Sequence, residues 1–147
     1  MKKEYPERMD LSEVWPIFEA GGLIHLSTID GDQPRVRIVS FTVHGQSLWV
    51  ATRSGDDKVT QIHNNSKVEF TLPVRGKEKI GCLRATAEAI IVDDPTKREE
   101  IASLIPWFMG YWKSSDDPNF TLIRLNMIKI LFDHHETSSK YTIEVDT

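Results

Sequence analysis

The residues of this chain best suited to chemistry fall in two short stretches. In "RVRIVSF" the two-residue period of a strand sends Arg35, Arg37, Val39 and Phe41 to one face, and Val36, Ile38, Ser40 and Thr42 to the other. Two guanidinium groups among aliphatic side chains have two readings: salt-bridged arginines where a strand end reaches solvent, or planar forks of donors aimed at a phosphate. In "WVATRSGDDKVTQIHNNSKVEF" a strand-like run ends at Thr52 and Arg53, a polar turn carries Ser54, Gly55, Asp56 and Asp57, and a short helix opens at Lys58. The start of a helix presents free N–H groups and partial positive charge, which suits an anion. Lys58 adds a full charge there and Thr52 a hydroxyl that both donates and accepts. Asp56 and Asp57 oppose that reading, because they are the usual occupants of a helix N-cap, would satisfy the same N–H groups and would repel a phosphate.

Other reactive residue types do not gather. His25, His44 and His63 are scattered, and His134 and His135 point to opposite faces if they continue a strand, so no metal site is expected. Cys82 sits inside a strand-like run and reads as a small buried hydrophobe rather than a nucleophile. There is no Ser-His-Asp order, no glycine-rich phosphate loop and no evident general acid or base, which leaves catalytic residues unassigned. The cluster Trp107, Phe108, Tyr111 and Trp112 reads as core or subunit interface, with stacking on a planar ring as the alternative.

The elements that must position these residues follow from pattern. Asp10 or Ser12 caps a first helix with Glu13 placed to help, Pro16 shortens or kinks it, and Gly21-Gly22 stops it. "LIHLSTI" is a strand, Asp30-Gly31 a hairpin turn, and "PRVRIVSFTV" its partner. A turn at His44-Gly45 leads to "SLWVAT", so three strands in the manner of a meander precede the short helix. "KVEFTLPV", a charged turn and the long run Ile80 to Val92 follow, the last suited to a bent strand serving two parts of a sheet. Asp94-Pro95 opens a helix that ends near Pro106. "FTLIRLNMIKILFD" and "KYTIEV" complete six or seven strands, mostly joined by hairpins. By pattern they fit a closed antiparallel barrel with helices at its junctions better than a doubly wound sheet.

At 147 residues the chain is expected to form one domain, residues 1–147, with a core of its own. Hydrophobic and charged contents of 39% and 27% are those of a soluble globular protein. No apolar run approaches the roughly 18 residues of a membrane span, and "MKKEYPERMD" lacks the apolar segment of a signal peptide, so a cytoplasmic location without membrane contact is expected. A net charge of −4 argues against a nucleic acid as main partner.

The ordered series from "LSTIDGDQPRVRIVSF" through "LWVATRSGDDKVTQIHNNSKVEFTL", and on through "LRATAEAIIVDD", resembles the FMN-binding split-barrel proteins related to pyridoxamine 5'-phosphate oxidase. "WFMGYWKSSDDPNFTLIRLNMIKILF" is similar to the C-terminal part of the small general-stress-protein branch of that family. The resemblance implies a mainly β fold, an antiparallel Greek-key split barrel with short helices, that forms a homodimer with FMN in two clefts at the subunit interface. Carried across by position, it implies that Arg37 meets the FMN phosphate and that Ile38, Val39 and Ser40 run along the flavin through their backbone. Thr52 would stand near the ribityl chain or phosphate, and Lys58 would bind phosphate from the short helix.

Two departures qualify it. Asp57 stands where the oxidases carry a basic residue just before the lysine, and the ending "YTIEVDT" lacks the tryptophan- and arginine-containing terminus by which true oxidases hold pyridoxamine phosphate. The expectation is therefore a flavin-dependent oxidoreductase acting on another small molecule, not that oxidase. The alternatives are a non-enzymatic flavin-binding or stress-related protein, or a barrel that holds a deazaflavin, haem or no cofactor.

Overall fold

The computed structural model describes residues 5–145. The first four residues of the stretch read for a targeting signal, and the last two of the "YTIEVDT" ending, lie outside them. Among the described residues the elements run β1 (Glu7–Arg8), α1 (Leu11–Ala20), β2 (Leu23–Asp30), β3 (Gln33–Ser40), β4 (Thr42–His44), β5 (Ser47–Arg53), α2 (Asp57–Asn64), β6 (Lys67–Arg75), β7 (Ile80–Val92), α3 (Pro95–Ser103), β8 (Phe120–Asp133) and β9 (Lys140–Glu144). None of these helices is long and apolar enough to cross a membrane.

One sheet runs in the order β1-β9-β8-β7-β6-β2-β3, and β5, which carries β4, joins it through β8. The 14-residue β8 organises it. One edge of β8 pairs with β7 along its length, while the other edge is divided, Phe120 to Leu125 pairing with β5 and Lys129 to Asp133 with β9. β7 is the long strand expected, paired with β6 on one edge and β8 on the other, and its register on β8 shifts between Thr86 and Ala87, where Ile128 of β8 is the extra residue.

The expected closed barrel and three-strand meander are corrected here. β3 has β2 as its hydrogen-bonded neighbour and does not pair with β5, and the β1–β9 pair is parallel, so the sheet is mixed and stays split. The break falls at Phe41, whose ring enters the core while its N–H donates to the Gly22 carbonyl, 3.1 Å away. That bond extends the β2–β3 register by one rung, and beyond it Thr42 to His44 leave β2 and pair with β5 as a separate hairpin. Gly45 and Gln46 both take φ of 59° at its tip, the left-handed pair that a two-residue hairpin loop demands.

Alternating burial along β2 and β6 places Ile24, Leu26, Val68, Phe70 and Leu72 in one core with Leu83, Leu125 and Ile130. α1 adds Val14 and Phe18, the latter edge-on to Phe70 with ring centroids 6.3 Å apart. Its start is fixed by Glu13, whose carboxylate accepts the Asp10 N–H at 2.9 Å, and Pro16 lies inside the helix without ending it. A second cluster packs on the outside of β5 and β8: Trp49 and Leu122 meet Ile101 and Ile105 from the α3 segment, with Phe108 and Trp112 from the aromatic connection. β5 is thus covered on both faces, which explains its almost unbroken burial.

His134 and His135 do not continue the strand. They follow the end of β8, where strand alternation no longer applies, and instead of facing opposite ways their rings stack at 4.6 Å. This corner leaves little room opposite. A Cβ added at Gly81 would stand 2.3 Å from the Asp133 carbonyl oxygen and 2.7 Å from the His135 nitrogen, both backbone atoms that cannot rotate away. Gly81→Ala is therefore expected to destabilise the protein by about 1–3 kcal/mol, the scale of an overpacked interior. Urea denaturation checks this, and an unchanged midpoint would show that the corner relaxes freely.

Candidate functional site

The two stretches singled out by residue type meet at α2. β3 runs antiparallel to β2 with Leu26 opposite Arg37 and Thr28 opposite Arg35, and α2 lies against β2. The Arg37 guanidinium enters the gap. Its Nη1 donates to Thr28 Oγ1 at 2.7 Å and to the Leu26 carbonyl at 3.3 Å, and its Nη2 donates to Gln61 Oε1 at 2.9 Å. Thr28 is fully buried and donates its own hydroxyl proton to the same Gln61 oxygen. Burial lowers the Arg37 pKa from its ordinary value, and the Asp57 carboxylate acts against that shift. Arg35 is different: it lies exposed and paired with Asp30 at 3.3 Å, the salt-bridged surface arginine of the first reading.

One turn of helix before Gln61, Lys58 reaches back to the end of β5. Its ammonium donates to Thr52 Oγ1 at 2.8 Å and to Asp56 Oδ2 at 3.2 Å, while Thr52 donates its hydroxyl proton to the same Asp56 oxygen at 2.6 Å. Asp56 occupies the N-cap position with extended backbone, as its spacing implied, yet its carboxylate makes no hydrogen bond to the helix N–H groups. It turns to Thr52 and Lys58 instead. The Thr52 hydrogen bond is the largest influence holding the Asp56 carboxyl below its ordinary pKa; partial burial opposes it and Lys58 reinforces it.

Beside this triad opens a cleft of about 460 Å³ lined by Ser40, Thr52, Arg53, Asp56, Trp107, Tyr111 and Trp112, with Ala51 at its base. The aromatic connection is both things that its composition allowed. Phe108 and Trp112 are buried in the second cluster, and Trp112 donates its indole N–H to the Asn119 carbonyl at 2.9 Å, whereas Trp107 and Tyr111 remain exposed as a wall of the cleft. The Arg53 guanidinium stands over the Tyr111 ring, 5.3 Å from its centroid. Away from the cleft, Arg98 donates to the Ser115 and Asp117 carbonyls at 3.0 and 3.2 Å and ties down the polar loop that follows.

Of the six residues expected to touch a cofactor, Ser40 and Thr52 line the cleft and Lys58 is bonded to two groups that do. Arg37 is not among the lining residues and bonds Thr28 and Gln61 instead. Val39 has its side chain in the core, and Ile38 projects to the exposed outer face of the sheet, so either would meet a ligand in this cleft only through its backbone. Sequence reasoning missed Thr28 and Gln61 as the partners of Arg37, and missed Asp56 as the partner of Thr52 and Lys58. The signal for Gln61 was its place three residues after Lys58, on the same helix face. Cys82 is half-buried rather than fully buried, and that burial raises its thiol pKa, which leaves it a poor nucleophile.

Because Asp56 gains its partners on folding and has a lowered pKa, its contribution to stability is present above the unfolded value, roughly pH 4, and lost as pH falls through the lower folded value. Asp56→Asn is expected to lose less stability than the parent as pH falls below the unfolded carboxylate value of about 4. Urea melts at several pH values check this; parallel acid limbs would show that the triad contributes nothing to folding.

A sequence profile of the family described as pyridoxamine 5'-phosphate oxidase matches residues 13–133. No curated protein is similar enough in sequence to match. Among solved structures, the general stress protein 26 of Bacillus anthracis str. Sterne is 25% identical, superposes with a TM-score of 0.66, and is covered over 91% of its chain by 82% of this one. A FAD-binding protein of Mesorhizobium loti, 12% identical, superposes at 0.69 over 83% of this chain and 92% of its own. A haem-binding protein of Mycobacterium smegmatis, 10% identical, superposes at 0.74 over 87% of this chain and 55% of its own. The last two share the fold alone. With the profile spanning most of the chain and the split sheet laid out as above, the chain belongs to the pyridoxamine 5'-phosphate oxidase family.

Proposed function

We propose that the protein is a homodimeric flavoprotein that binds FMN in the cleft between Thr52 and the Trp107–Tyr111 wall, and acts on a small molecule through the flavin. The observation that carries this reading is the Lys58–Thr52 pair at the mouth of an aromatic-lined cleft of ligand size, in a chain of this family. The residues fit both ends of such a cofactor. Trp107 and Tyr111 suit a planar ring system, Ser40 offers a hydroxyl along it, and Lys58 and Thr52 suit the phosphate, with Arg37 behind as a second cation. The flavin supplies the electron or hydride transfer when bound; the chain supplies position and electrostatics.

Asp56 is the one carboxyl among the described residues lining the cleft, and its lowered pKa keeps it an ionised acceptor at neutral pH. It cannot serve there as a general acid. That observation favours a second reading, a non-enzymatic flavin-binding protein, and steady turnover with a nicotinamide donor separates the two.

The outer face of β2 and β3 supports the dimer. Register places Leu23, His25 and Ser27 opposite Ser40, Ile38 and Val36, and of these Leu23, Val36 and Ile38 are 58%, 70% and 61% exposed beside an unpaired strand edge. Such an edge invites association unless a partner covers it. Ile38→Asp is expected to give a monomer by light scattering with weakened FMN binding, and a variant that remains dimeric would move the interface elsewhere.

Lys58→Ala and Arg37→Ala are each expected to weaken FMN binding by about 1.5–3 kcal/mol, the scale of a hydrogen bond to a charged group. Titration followed by flavin fluorescence measures this. Two variants that bind like the parent would put the cofactor somewhere else.

A further inference from the structure

We propose that the Asp56 carboxylate is a built-in competitor for the ligand's phosphate, and that it sets how tightly this chain holds FMN relative to the same flavin without a phosphate. The inference rests on the flavin reading above. Its basis is the donor arithmetic of the triad. A threonine hydroxyl has one proton, and Thr52 gives its proton to Asp56 Oδ2 at 2.6 Å. The Lys58 ammonium donates to that same oxygen at 3.2 Å and to Thr52 at 2.8 Å. A phosphate oxygen arriving here would seek the donors that Asp56 already engages.

Charge adds to the competition. Asp56 stands against Lys58, and Asp57 acts on Arg37, so these two cations meet two carboxylates before any ligand arrives. Arg53, the cation that lines the cleft itself, lies over the Tyr111 ring. A phosphate monoester near neutral pH adds between one and two negative charges, on the order of −1.5 to −2. It therefore enters a site with no surplus of positive charge from that quartet, and like charges held close in a partly desolvated cleft repel strongly.

Accessibility identifies the group that must give way. The Lys58 side chain is 12% exposed and held on both sides, whereas that of Asp56 is 41% exposed and free of any hydrogen bond to the helix it caps. Asp56 can rotate into solvent without breaking a helix cap, releasing Thr52 and Lys58 to the ligand. Binding of FMN then includes the loss of two internal contacts, while riboflavin, which brings no phosphate, leaves the triad intact.

The test is a pair of titrations, FMN and riboflavin, on the parent protein, Asp56→Asn and Asp56→Ser. Serine keeps a capping side chain but is too short to bridge Thr52 and Lys58, and it guards against an asparagine that folds poorly or retains the Thr52 bond. The parent is expected to bind the two flavins within about tenfold of each other. The substitutions are expected to tighten FMN about tenfold or more, while riboflavin changes less than about threefold. An unchanged FMN affinity in both variants, or an equal gain for both flavins, overturns the inference and leaves the flavin reading standing. A parent that prefers FMN by more than about a hundredfold also overturns it. If neither flavin binds to any of the three proteins, the flavin reading fails and the inference fails with it.

Discussion

The half-buried guanidinium of Arg37 is the constraint around which the candidate site is arranged. A cation drawn partly out of water must be met by acceptors or its burial becomes prohibitive. Here the acceptors come from two separate elements: Thr28 and the Leu26 carbonyl on β2, and Gln61 on α2. Satisfying one side chain therefore locks the β2–β3 hairpin to a helix of eight residues that has little stability of its own. With Gln61 fixed inward, Lys58 three residues earlier lies on the same side and is directed to the end of β5. The position of the lysine is thus a consequence of how the arginine is held.

Two further surfaces meet at that point. β5 is buried on both faces because the main core lies on one side and the α3 segment on the other, so Thr52 near its end is buried too. The same packing anchors the aromatic connection, with Phe108 edge-on to Phe120 at 4.9 Å and Trp112 tied to Asn119. Trp107 and Tyr111 are held at the rim by these neighbours rather than by contacts of their own with the core. A rigid hydroxyl and ammonium at one end, and a ring wall at the other, make a cleft whose two ends are set by independent parts of the fold.

Much of the fold was legible in the sequence, and the failures have physical causes. β8 covers the fourteen residues of "FTLIRLNMIKILFD", and the Asp94-Pro95 helix start is realised with Asp94 accepting the Lys97 N–H at 2.9 Å. Both signals are local: an apolar run, and a cap beside a proline. The break at Phe41 was not legible, because no turn residue marks it and what changes there is the partner strand, from β2 to β5. In the site, Arg35 and Arg37 look alike by period and type, and only the tertiary neighbours Asp30 on one side and Gln61 on the other give them different environments. Asp56 was placed correctly as a cap by position and wrongly by bond. Its side chain follows Thr52, four residues back, a choice between partners that helix propensity does not decide.

That choice bears on how the family's scaffold can be tuned. In a mainly β protein the cleft walls are strands held by pairing along β7 and β8, and altering them would disturb the core. The residues between β5 and α2 form no sheet pairs and contribute little to either apolar cluster. A carboxylate can therefore stand next to Lys58 without disturbing the sheet, and it acts almost entirely on what the lysine and threonine are free to bind. Affinity at that end of the cleft becomes adjustable by a single turn residue, while the ring wall, built on Phe108, Trp112 and Phe120, keeps its shape. Variation in ligand among proteins of one fold is the expected result when binding groups stand on a connection and their scaffold stands on strands.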